Sequence, residues 1–72
     1  MNTTDRAYRI QKLRFQAADA REQAERDHTF AAKLLRGSLA DRREGAARVV
    51  VAEARADLAA ALNNLATILE QP

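Results

Sequence analysis

The sequence predicts an all-α protein: an antiparallel two-helix hairpin with helices over about 4–36 and 39–70 and a turn at about 37–40. Three observations carry this. Seventeen of the 72 residues are Ala and ten are Arg, and Ala leads the helix formers with Arg, Leu, Glu and Gln close behind. The apolar residues recur at spacings of three and four, the period of a helix face, and do not alternate as in a strand. The breakers are few: Gly37, Gly45 and a terminal Pro72.

Taken in order, Thr3 or Thr4 is placed to cap a first helix, with Asp5 favourable in its first turn. Nothing interrupts that helix before Gly37. Lys33 and Arg36 occupy its last turn, where cations suit the helix dipole, and Gly37 suits the left-handed position that follows a helix. Its seam reads Ile10, Ala17, Ala24 and Ala31 on one row and Leu13, Ala20, Asp27 and Leu34 on the other. Ser38 or Asp41 then caps a second helix, and Asp41-Arg42-Arg43-Glu44 reads as a capping box with Asp in the leading place. Gly45 weakens that helix by about 1 kcal/mol relative to Ala. Its apolar stripe is Val51, Leu58 and Leu65 with Ala47, Ala54, Ala61 and Ile68, broadened by Leu62 and Leu69.

Each helix spans roughly 30 residues, or about 45 Å. A short Gly-Ser connection makes them antiparallel neighbours. Folding the chain about residue 39 sets Ile10 beside Ile68, Leu13 beside Leu65, Ala17 beside Ala61 and Ala24 beside Ala54. A lone hairpin has one shared seam and leaves part of Leu58, Leu62, Leu65 and Leu69 uncovered. Chains this short need help from oligomerisation, metal or disulfides. The expectation is therefore a homodimer, a four-helix bundle whose dimer and core residues are Ile10, Leu13, Ala17, Leu58, Leu62, Leu65 and Leu69.

Composition narrows the function. One domain is the ceiling at this length. Without Cys there is no disulfide framework and no thiolate metal site. No apolar run approaches the roughly 20 residues of a membrane span. The charged start, with Asp5, Arg6, Arg9, Lys12 and Arg14, does not read as a signal peptide. The expected setting is the cytoplasm, with no membrane partner and no cofactor. Catalysis is not expected either. Ser38 is the only Ser and suits a cap, the carboxylates are scattered beside Arg residues, and no Gly-rich phosphate loop exists.

Several residues admit both a functional and an ordinary structural role. Glu25-x-x-His28 has the spacing of a di-iron bundle motif, but the two side chains diverge from the seam, and a solvated or interface His is preferred. Asp27 on the seam is read as a polar residue paired with an Arg or fixing register, in preference to a catalytic acid. Asn63 and Asn64 are assigned to the outer surface of the second helix. Tyr8 and Phe15, seven residues apart, share a face nearly opposite the seam, beside Arg9 and Lys12. Tyr, Phe and Arg are enriched at protein interfaces. Tyr8, Arg9, Lys12 and Phe15 therefore form either a partner-binding strip or a second seam of the homodimer. From Lys33 to Arg48, five cations face only Asp41 and Glu44, a net of +3. Arg36, Arg42, Arg43 and Arg48 could read nucleic acid, or simply make a solvated face with intrahelical ion pairs.

Two resemblances extend this reading. The layout looks like the small plasmid-encoded RNA-binding hairpin that dimerises into a four-helix bundle. The stretch Asp5-Arg6-Ala7-Tyr8-Arg9-Ile10-Gln11-Lys12-Leu13-Arg14-Phe15, with size, composition and layout, resembles the quorum-sensing anti-activators among the early proteins of temperate phages. That resemblance implies a dimeric helical inhibitor in the host cytoplasm. Its targets would be a larger host protein, a LuxR-type transcription activator or a pilus-assembly ATPase. The alternatives are a nucleic-acid-binding regulator and a structural piece of a larger assembly.

Overall fold

The described residues form two helices of 32 residues each: α1, Thr3–Leu34, and α2, Leu39–Glu70. The computed structural model describes residues 3–72. The helices run antiparallel and form a rod of 55 × 13 × 12 Å. α1 already begins at Thr3, so Thr3 and Thr4 lie within the helix and neither is the cap ahead of it that the sequence suggested.

The turn differs from expectation in two ways. Gly37 does not take a left-handed conformation; neither glycine has a positive φ. Instead α1 ends by tightening, with the Arg36 and Gly37 amides donating to the carbonyls of Lys33 and Leu34 at 3.2 and 3.0 Å. A Cβ at residue 37 would overlap the Asp41 carboxylate. That carboxylate is half of the capping box, which starts at Ser38 and not at Asp41. The Asp41 amide donates to Ser38 Oγ at 3.2 Å, and the Ser38 amide donates to Asp41 Oδ2 at 3.3 Å. Gly37 is thus small because the cap needs room, not because the backbone needs freedom.

The contact between the helices is built from the smallest side chains. Ala17, Ala20, Ala24 and Ala31 of α1 are buried, as are Gly45, Ala52, Ala59 and Ala66 of α2. Among the described residues no large side chain is fully buried. The α1 seam is the expected one, with Ile10, Leu13, Asp27 and Leu34 half-buried along its edges. The α2 seam is not. Val51, Leu58, Leu65 and Ile68 are exposed, and so are Ala47, Ala54 and Ala61. The true seam, Gly45-Ala52-Ala59-Ala66, lies one residue on, or about 100° around the helix. The pairings of Ala17 with Ala61 and Ala24 with Ala54 fail with it. Gly45 explains the choice: a Cβ there would stand 3.1 Å from both the Ala31 carbonyl oxygen and Leu34 Cβ. Backbones this close admit only hydrogen or methyl between them.

Polar latches cross the seam. Arg14 reaches from α1 to the Asn63 carbonyl and side-chain oxygens at 3.3 and 3.2 Å, to Thr67 Oγ1 at 3.2 Å and to Glu70 Oε1 at 2.8 Å. Asn63, expected on the outside, is therefore half-buried. Asp27, with its side chain 13% exposed, takes a 2.6 Å hydrogen bond from Arg55. This is the Arg pairing that the seam position of Asp27 suggested.

Candidate protein-interaction site

Rotating α2 by one residue turns its larger apolar residues outward, which gives the hairpin two distinct exposed surfaces. The first lies on α1. Tyr8 and Phe15 are 63% and 77% exposed. With Gln11, Lys12 and Gln16 they line a shallow open groove on the outer face of that helix. Arg9 is exposed on the neighbouring row and borders a second groove, formed by Lys12, Leu13, Gln16, Leu65 and Leu69 between the two helices. The four residues Tyr8, Arg9, Lys12 and Phe15 thus come together as one aromatic and basic surface. Helical spacing positions them: the two rings stand two turns apart on one row.

The second surface lies along α2. Val51, Leu58, Leu65 and Ile68 are between 43% and 61% exposed, and Ala47, Ala54 and Ala61 fill the spaces between them. Leu62 and Leu69 are half-buried at its border with the seam. On the α1 side this strip meets Gln16, Asp19 and Gln23. Of the residues expected in the core or dimer contact, Ala17 is buried in the hairpin, Ile10, Leu13, Leu62 and Leu69 are half-buried, and Leu58 and Leu65 face outward.

The basic turn end separates into two parts. Arg36, Arg42 and Arg43 are exposed. Arg48 is engaged: its Nε donates to Glu44 at 2.8 Å and its guanidinium lies 4.6 Å from the centre of the Phe30 ring. The Phe30 contact escaped the sequence reading, although folding the chain about residue 39 sets residue 30 opposite residue 48. A cation over an aromatic face adds about 0.5–1 kcal/mol at an exposed site.

Glu25 and His28 are both exposed, and among the described residues no three His, Asp or Glu side chains converge. Ser38 is occupied as a cap acceptor. Among the described residues no helix is long and apolar enough to cross a membrane. Comparison with protein-family models, with curated proteins and with solved structures finds no match to this chain.

Proposed function

We propose that this chain acts without catalysis, as a small homodimeric protein that binds and inhibits a larger protein through Tyr8, Arg9, Lys12 and Phe15. One observation carries this reading: two aromatic side chains, each more than 60% exposed, stand on the outer face of α1 among cations. Isolated exposed apolar residues are ordinary, but a contiguous exposed patch on a small protein marks an interaction site. Aromatic rings add a further argument, since they supply much contact area at low entropic cost. The resemblance of residues 5–15 to the anti-activators nominates a LuxR-type activator and a pilus-assembly ATPase as the first targets to try. Self-association as a four-helix bundle belongs to the same proposal.

The test is a pull-down from host lysate with the tagged chain, with and without nuclease, beside a Tyr8→Ala/Phe15→Ala variant. A stoichiometric protein that survives nuclease and is lost with the double variant is the expected result. The variant should keep its helicity, because substitutions at such exposed positions shift stability by about 0.5 kcal/mol or less. A protein captured equally by both chains would remove the assignment to this strip. A second reading rests on the exposure of Arg36, Arg42 and Arg43 at one end of the rod. Nucleic acid bound there would be lost with rising salt and on changing the three Arg residues to Gln, while Tyr8 and Phe15 would not matter.

A further inference from the structure

We infer that a second copy of this chain covers the exposed apolar strip of α2, about a two-fold axis at Leu58 that sets the two α2 helices antiparallel. This rests on the self-association proposed above and specifies its face and geometry. The first argument is area. The hairpin exposes 5400 Å², whereas a compact monomer of 8.0 kDa exposes about 4500 Å². The surplus of about 900 Å² matches the roughly 800 Å² that each partner buries in a standard interface. The second is chemistry. Ala47, Val51, Ala54, Leu58, Ala61, Leu65 and Ile68 form two adjacent rows over some six turns with no charge in either. Their α1 border, with Lys12, Gln16, Asp19 and Gln23, is polar. An apolar centre with a polar rim is the anatomy of a protein interface.

The third argument selects the occupant and its direction. A two-fold axis at Leu58 places Val51 against the partner's Leu65, Ala54 against the partner's Leu62, and Ala47 against the partner's Leu69, so small residues meet large ones. It places Arg48 level with the partner's Ile68 and Arg55 level with the partner's Ala61. A parallel pairing would set Arg48 against Arg48 and Arg55 against Arg55, and like charges facing each other are costly. Both guanidiniums are already engaged within their own chain, Arg48 by Glu44 and Phe30 and Arg55 by Asp27. The strip therefore meets a copy of itself with no unpaired cation in the contact. The same arrangement leaves Tyr8 and Phe15 outside, one strip on each side of the dimer.

The absence of native Cys makes single-cysteine variants a direct probe. Residues on a two-fold axis meet their own counterparts. Leu58→Cys should therefore form an intermolecular disulfide under mild oxidation, while Ala60→Cys and Phe15→Cys, exposed on other faces, should not. Sedimentation equilibrium of the native chain at micromolar concentration should give twice the monomer mass. Leu58→Arg should weaken self-association by more than about tenfold with helical circular dichroism retained. A native chain that sediments as a monomer overturns both the self-association and this geometry. A dimer that cross-links through Phe15→Cys or Ala60→Cys and not through Leu58→Cys overturns this face alone. The cross-linking readout does not depend on Leu58→Arg folding.

Discussion

At the level of single residues, the two glycines do opposite jobs from those their sequence positions suggest. Gly37 follows a helix and reads as a left-handed terminator, yet it only clears space for the Asp41 carboxylate. Gly45 reads as a defect in a helix, yet it is the seam residue that lets the helices meet beside the turn. The consequence is measurable. At an open helical position Gly→Ala gains about 1 kcal/mol. Gly45→Ala should not, because its methyl must displace the Ala31 carbonyl and Leu34 Cβ, each 3.1 Å away. An unchanged or lower urea midpoint is expected; a rise matching the full helix gain would mean that the turn relaxes freely. Asp27 and Arg55 illustrate the reverse situation, a pairing that sequence position did suggest. A carboxylate on an otherwise Ala and Leu seam needs a partner, and the structure supplies it from the other helix at 2.6 Å.

At the level of helices, α1 was legible and α2 was misread by one residue, for a physical reason. α1 carries a single apolar stripe, so its period identifies its buried face. α2 carries two stripes: a bulky one through Val51, Leu58 and Leu65, and a small one through Gly45, Ala52, Ala59 and Ala66. Ranking by hydrophobicity selects the bulky stripe. Close packing of two backbones selects the small one, because dispersion contacts between the helices grow as the gap closes. Sequence counts do not reveal which criterion wins, and Gly45 was the one available signal. Enlarging the chosen seam should therefore be costly. Ala52 is fully buried, and Ala52→Leu should destabilise the hairpin by about 1–3 kcal/mol through overpacking. Ala60→Leu, on the exposed surface of the same helix, should change stability by less than about 0.5 kcal/mol. Equal midpoints for the two variants in chemical denaturation would refute this seam. The candidate site was legible for the same reason as α1. Tyr8 and Phe15 sit on a helix with one apolar stripe, so whatever lies opposite that stripe must face solvent.

At the level of the whole molecule, the hairpin is a rod held along its length by methyl-sized contacts that repeat every seven residues, and by polar latches near specific points. Arg14 brackets the last two turns of α2, Asp27 and Arg55 lock the middle, and the Ser38-Asp41 cap fixes the turn. Burying one methylene-sized group contributes only about 0.8 kcal/mol, so a seam of this kind depends on number and continuity rather than on any large anchor. The repeat makes the protein a ruler with seven-residue graduations. Removing residues 15–21 from α1 together with 56–62 from α2 takes out facing blocks of the same size. Ala24 and Ala52 stay in phase, Arg14 stays opposite Asn63, and Asp27 stays opposite Arg55. The shortened chain should remain a helical hairpin about 10 Å shorter, readable by small-angle scattering alongside circular dichroism. Removing only one of the two blocks leaves seven residues without a counterpart and should melt the frayed end. The length of this molecule is thus quantised, and whatever spacing it holds between the things it touches can be altered only in whole steps.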